Sequence, residues 1–277
     1  MDLLHNIFSI IDWVMTTPSH YGLFHIISVI ILFIILIIIA KGIKINKEKT
    51  VKIILIVFST LMLLFEIIKQ GLFTHVESAY QWYAFPFQFC STPMYIAPLA
   101  LIIKNGKLKD ALYSFLAFYG LFGGLAVIVY PGDVFTSLVM INIQTMVHHS
   151  GMIIMGSVII MAQMVKFDFK SLLKGTYVFL VLAAIAQLLN YVFYYAEVGT
   201  FNMFFISPFG TNDFPILSNI QKNAPYFVFL LSYILGFILV AFIFQKLCFI
   251  LQKLHYIIHI NSLKNKEEKP QLNNYLK

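Results

Sequence analysis

Apolar residues run along this chain in seven blocks, separated by short polar connections that hold nearly all of the charge. A helix needs about 20 mostly apolar residues to cross a bilayer. The blocks therefore predict transmembrane helices over Tyr21–Ala40, Val51–Ile68, Phe87–Ile103, Ala111–Tyr130, Ser137–Val165, Leu172–Tyr195 and Pro225–Gln245. The third is short and contains Pro93 and Pro98; the fifth is long enough to require tilt or an interfacial turn. Ahead of them, Leu3, Leu4, Ile7, Phe8, Ile10, Ile11, Val14 and Met15 recur at helical spacing opposite Asp2, His5, Asn6, Ser9 and Asp12. That pattern predicts an amphipathic interfacial helix over residues 1–19. It lacks the positive start and small-residue cleavage site of a signal peptide. The predicted organisation is all-α: the interfacial helix, a seven-helix bundle over residues 20–250, and a basic tail over 251–277 that is polar and disordered from Asn261 onward.

Composition agrees with this pattern. Of the 277 residues, 60% are hydrophobic and 11% charged, against about 45–50% and about 25% in soluble domains. Too little polar surface exists to wrap a water-soluble particle. The net charge of +7 does not indicate a nucleic-acid partner, because the lysines fall in short clusters between apolar blocks. Their distribution orients the chain instead. Seventeen of the 19 lysines lie in the connections between helices one and two, three and four, and five and six, or after helix seven; Lys69 and Lys222 are the exceptions. Positive residues stay cytoplasmic, which predicts an external N-terminus and a cytoplasmic C-terminus. The two cysteines, Cys90 and Cys248, fall in or beside different blocks and do not suggest a disulfide.

Polar side chains inside a bilayer are costly and face the bundle interior or a wet cavity. In this topology they gather in the outer half. His20 and His25 lie at the start of helix one, and Glu66 and Lys69 at the end of helix two. Gln88, Cys90, Ser91 and Thr92 begin helix three, and Asn142, Gln144, Thr145, His148 and His149 lie early in helix five. Gln187, Asn190, Tyr191, Tyr194 and Tyr195 line the end of helix six, with Tyr226 and Tyr233 early in helix seven. The cytoplasmic halves are almost wholly aliphatic and Phe. The pattern predicts a polar cavity in the outer half, although each residue by itself also suits helix-to-helix hydrogen bonding. Glu66 and Lys69, three apart, suit an interfacial ion pair of structural role. Gly120 and Gly124 form a small-xxx-small pair for close helix packing.

Within this set, Pro86-Phe87-Gln88-Phe89-Cys90-Ser91-Thr92-Pro93 is the most informative segment. Pro93 suits the first turn of a helix, with Ser91 or Thr92 as the N-cap. Cys90 then stands just before a helix N-terminus, where the dipole favours a thiolate; the competing reading is a small buried hydrophobe. His148 and His149 differ by about 100° around a helix, so one can face the cavity while the other meets a neighbour. Such a histidine can serve as base for a thiol. Metal ligation competes with that role, but no aspartate or glutamate falls clearly at the same depth. His255 and His259 have i, i+4 spacing without a third ligand. The 29-residue connection Ala196–Ala224 holds Phe201, Asn202, Phe204, Phe205, Phe209 and Phe214, which suits a lid over the cavity mouth.

These residues carry a resemblance. His25 in Tyr21–His25, Pro86–Cys90, Gln144–His149, Asn202-Met203-Phe204 and Pro225-Tyr226 occur in the order seen in YwaF-type bacterial integral membrane proteins. Those proteins are related to the eukaryotic transmembrane-protein-164 family. The resemblance covers most of the chain, and it places the chain in a bacterial plasma membrane. It implies a cysteine-dependent acyltransferase acting on membrane phospholipids, with Cys90 as nucleophile, His149 as base and no cofactor. His148, His25, Gln88, Asn142 and Gln144 would then orient the pair or stabilise an oxyanion, with Asn190, Tyr191 and Asn202 lining the substrate site. The alternative is a small-molecule or lipid binding protein, or a transporter, built on the same cavity.

Overall fold

The structure, a computed structural model, describes residues 6–275 apart from 133, 197–199 and 213, with side chains described as far as Leu254. The helices are α1 (Leu23–Ile45), α2 (Lys47–Val76), α3 (Pro93–Ile102), α4 (Lys107–Val129), α5 (Val139–Met161), α6 (Phe169–Tyr195), α7 (Leu217–Asn223) and α8 (Tyr226–Tyr275). Among the described residues, six helices are long and apolar enough to cross a membrane: α1, α2, α4, α5, α6 and α8 over Tyr226–Leu254. The third expected span is different. Phe87–Ile103 is helical only as a single 3₁₀ turn, Phe89–Ser91, and the ten-residue α3. Ten residues rise about 15 Å, half the roughly 30 Å of a hydrocarbon core. The reason lies in the sequence: Pro93 has no N–H to continue a helix from above, so it sits at N1 and Thr92 occupies the N-cap position. Thr92 donates back to the Phe89 carbonyl at 2.8 Å instead of capping α3.

Local capping sets other boundaries. Asn46 separates α1 from α2 and accepts from the Lys49 amide at 3.0 Å. Asp168 caps α6 by accepting from Ser171 N at 2.7 Å, and that bond to the charged carboxylate holds its carboxyl below the usual value. The lysine-rich connections meet at one end of the bundle. Lys47 Nζ donates to Gln163 Oε1 at 3.0 Å, Lys174 pairs with Asp110 at 2.6 Å, and Gln245 donates to the Asp168 carbonyl at 3.0 Å. At the opposite end, Asp12 pairs with His75 at 3.2 Å and Tyr226 donates to the Ile206 carbonyl at 2.7 Å.

The N-terminal segment departs from an amphipathic helix over 1–19. Its first five residues lie outside the described ones. Residues 6–8 are helical, and turns follow. Val14 then forms an antiparallel bridge with Leu138, with Met15 N donating to Ser137 O at 2.8 Å. The α5 approach is extended there, so its backbone groups offer a strand partner that a helix would decline. At the other end, α8 continues to Tyr275; the side chains of the expected basic tail beyond Leu254 lie outside the described residues.

The core is aromatic. Phe179 stacks on Phe237 with ring centroids 5.4 Å apart, Tyr119 stacks on Phe179 at 5.1 Å, and Phe89 meets Phe237 edge-on at 5.1 Å. Helix α4 carries a π-helical stretch, Phe115–Gly120, buried throughout. Close approach there needs glycine on the facing helix: a Cβ on Gly156 of α5 would stand 2.7 Å from the Leu116 carbonyl oxygen.

Candidate active site

Irregular backbone is tolerated at membrane depth only where protein buries it or where it lines a cavity. The stretch between α2 and α3 meets that condition. A cavity of about 830 Å³ opens against it, lined by Tyr83, Gln88, Cys90 and Ser91 on this side. Helix α2 contributes Glu66, Lys69 and Phe73, and α5 contributes Gln144, Thr145, His148 and His149. Residues of the long connection, among them Phe201, Asn202, Phe205 and Phe209, close another wall. The volume falls in the range of small-molecule sites, about 300–1,000 Å³.

Cys90 is half-buried and free, and its backbone rather than its thiol meets a histidine. His148 Nε2 donates to the Cys90 carbonyl at 2.8 Å. That bond leaves His148 Nδ1 as the acceptor nitrogen, buried and without a protein partner. His149 Nδ1 donates to the Thr145 carbonyl one turn back at 2.8 Å, leaving Nε2 with the lone pair. The two rings lie 5.7 Å apart at 61°. Both imidazoles are thus held by a carbonyl on one nitrogen and keep a lone-pair nitrogen on the other. Helix α4 approaches α5 closely behind them, because Gly124 leaves room for the His149 carbonyl; a Cβ there would stand 2.6 Å from that oxygen. Among the described residues no three His, Cys, Asp or Glu side chains gather as a metal site.

Other residues expected at the site have different surroundings. His25 is buried at the start of α1, away from the cavity. Its Nδ1 accepts from Tyr21 N at 3.2 Å and its Nε2 donates to the Ile128 carbonyl at 3.0 Å, tying α1 to the end of α4. Asn142 accepts from Thr136 N and donates to Thr136 O, each at 2.8 Å, and so shapes the entry to α5. Tyr191 is partly exposed and meets Phe209 edge-on at 5.5 Å. Gln144 lies on the cavity wall, buried.

Gln88 and Asn190 form a double clamp on the long connection. Gln88 Nε2 donates to Asn202 O at 2.9 Å while its Oε1 accepts from Phe204 N at 2.8 Å. Asn190 Nδ2 donates to Met203 O at 3.0 Å while its Oδ1 accepts from Met203 N at 2.6 Å. The clamped turn contains Phe204 and Phe205 at φ 58° and 56°. Bulky residues seldom adopt that region, at a cost of about 1–3 kcal/mol each, and the clamps over-determine it. Asn202 continues the network by accepting from Ser207 N at 2.9 Å and donating to Thr211 O at 2.8 Å.

Sequence reasoning assigned Glu66 and Lys69 to a structural pair, and the structure adds that both line the cavity. Glu66 Oε1 meets Lys69 Nζ at 2.8 Å and accepts from Gln70 Nε2 at 2.7 Å, while Oε2 is buried without a partner. The signal was present: Glu66 is the one acidic residue inside an expected span, and such residues mark functional sites by default.

The helices and this cavity define a multi-pass helical membrane protein with a polar site let into one end of the bundle. Its family follows from the match to the TMEM164 family model over residues 15–253, which takes in every residue described at the site. The chain belongs to the TMEM164 family. No curated protein and no solved structure matches it.

Proposed function

We propose that this protein is a membrane acyltransferase that moves a fatty acyl group from a phospholipid ester to a lysolipid hydroxyl through a thioester on Cys90. The observation that carries the reading is that Cys90, His148 and His149 share the wall of one cavity. In the proposed sequence, His149 Nε2 takes the thiol proton, and the sulfur attacks the ester carbonyl. The glycerol oxygen leaves with that proton and the acyl group stays on sulfur. An acceptor hydroxyl then gives its proton to the same nitrogen and attacks the thioester, and the thiol is restored. His148 acts as a positioning residue that holds the Cys90 backbone. Gln144, on the same cavity wall, would face the developing oxyanion in this reading. Gln88, Asn190 and Asn202 shape the site by holding the connection, and His25, Asn142 and Tyr191 support the helices around it. We place the lysine-rich end at the cytoplasmic face of a bacterial plasma membrane, following the charge rule.

A second reading, a protein that binds a lipid or small molecule in the same cavity or transports it, is favoured by the contact between His148 and the Cys90 carbonyl rather than its thiol. One experiment separates the two. Purified protein in vesicles receives a phospholipid with a labelled acyl chain and an unlabelled lysolipid. The enzyme reading expects labelled product and a hydroxylamine-sensitive acyl group on Cys90, both lost in Cys90→Ala. Undiminished transfer by Cys90→Ala overturns the cysteine mechanism, and ligand binding with no transfer by the wild type favours the second reading.

A further inference from the structure

Helix α8 brings a tyrosine into the neighbourhood of Cys90 that the mechanism so far leaves unused. Tyr233 is fully buried, and its hydroxyl has no hydrogen-bond partner in the protein. Its ring belongs to the aromatic core: it stacks on Phe237 at 4.5 Å and meets Phe229 at 6.4 Å. Phe237 in turn receives the edge of Phe89 at 5.1 Å, so the residue preceding Cys90 is seated one turn along α8 from Tyr233. Cys90 itself packs against the buried core that contains Tyr233.

Packing alone would be served as well by phenylalanine, the type that Phe229, Phe237, Phe89 and Phe179 already supply around it. A phenol hydroxyl buried among phenyl rings loses its hydrogen bonds to water and gains nothing in return. Tyrosine and tryptophan normally find a polar partner when buried. An unsatisfied donor in a protein interior calls for an explanation, and here the nearby reactive group is Cys90.

We propose that Tyr233 is a catalytic residue whose hydroxyl donates a hydrogen bond to the Cys90 sulfur once the thiol has lost its proton. This rests on the acyltransferase reading. Cys90 has one soft side-chain torsion, about Cα–Cβ, and the proposed bond requires that torsion to turn Sγ from the cavity wall toward α8. The proton leaves sulfur for His149 Nε2, and the tyrosine proton stays on its oxygen throughout. The hydrogen bond stabilises the thiolate as it forms and is released when sulfur bonds to the acyl carbon. The orphaned hydroxyl of the resting state is thus satisfied only in the reactive one, which is where differential stabilisation raises the rate.

The test uses a Cys248→Ser background, which leaves Cys90 as the single thiol. The protein is held in vesicles and alkylated with N-ethylmaleimide at fixed pH, while unfolding temperature and acyl transfer are measured on the same preparations. Tyr233→Phe should unfold at the same or a higher temperature, because it removes only the unpartnered hydroxyl, yet alkylate roughly tenfold more slowly. Tyr233→Leu, which loses the ring as well, should unfold at a lower temperature. Alkylation of Tyr233→Phe at the wild-type rate overturns the proposal. So does a fall in its unfolding temperature matching that of Tyr233→Leu, which assigns the residue to packing alone. Slowed alkylation in a protein that transfers no acyl group supports the hydrogen bond while removing the acyltransferase reading, so the two fail separately.

Discussion

Replacing Asn190 by alanine isolates the clamp that holds the long connection over the cavity. Asn190 and Met203 are both fully buried, and the amide makes two bonds to that one residue, at 3.0 Å and 2.6 Å. Truncation leaves one N–H and one C=O without partners in a dry interior, at about 1–3 kcal/mol for each. Gln88 still holds Asn202 O and Phe204 N, so relaxation is confined and the cost falls at about 2–4 kcal/mol. That energy is lost from local opening of the turn rather than from the helices. At about 1.4 kcal/mol per decade, the open population rises roughly 30-fold to several-hundred-fold. Hydrogen–deuterium exchange in lipid nanodiscs reads it directly. Peptides covering residues 200–212 should take up deuterium faster by that factor, with peptides from α2 and α5 unchanged. Unchanged uptake over 200–212 would refute the clamp as a source of local stability. A uniform rise through the helices would show that Asn190 supports the bundle and not the turn.

Two further substitutions probe the cavity wall. Gly124→Ala puts a Cβ 2.6 Å from the His149 carbonyl oxygen and 2.9 Å from Ile153 Cγ1. The backbone oxygen cannot turn away, so α4 must shift; overpacking of about 1–3 kcal/mol outweighs a helix-propensity gain of about 1 kcal/mol. Acyl transfer should fall more than thermal stability, because a displacement of about 1 Å at reacting groups can cost about 100-fold in rate. Lys69→Met removes the cation beside a carboxylate that is 5% exposed. Breaking a buried pair costs about 3–5 kcal/mol, whereas replacing both partners by apolar residues is often neutral. Thermal unfolding in nanodiscs should therefore show a large drop for Lys69→Met and recovery when Glu66→Leu is added; equal instability of single and double variants would refute the pairing argument.

The α3 segment illustrates how sequence and tertiary structure divide the explanation. Its apolar length reads as a span, but Pro93 confines the helix to the residues after it. Whether the preceding turns could survive at membrane depth depended on α2, α5 and the long connection burying them, and no local signal carries that. The lysine pattern, by contrast, is a property of composition along the chain. The lysine-rich connections do meet at one end, joined by Lys47 to Gln163 and Lys174 to Asp110.

At the site the same division holds. The sequence by itself determined a helical membrane protein, six of the seven helices it marked as apolar enough to cross, and a polar set around Cys90, His148 and His149, because hydropathy and the scarcity of polar residues are written residue by residue. Only the tertiary structure decided which polar groups face the cavity and which hold the frame. Gln88 and Asn190 had polarity and depth suited to a substrate, yet each places its amide on the backbone of residues 202–204. His25 satisfies both ring nitrogens on backbone groups outside the cavity. Glu66 and Lys69, which looked structural, reach the cavity wall. Hydrogen-bonding capacity is a property of the residue type, but the partner that satisfies it is supplied by chain far away in sequence, and a burial cost is met by whichever partner the fold brings near.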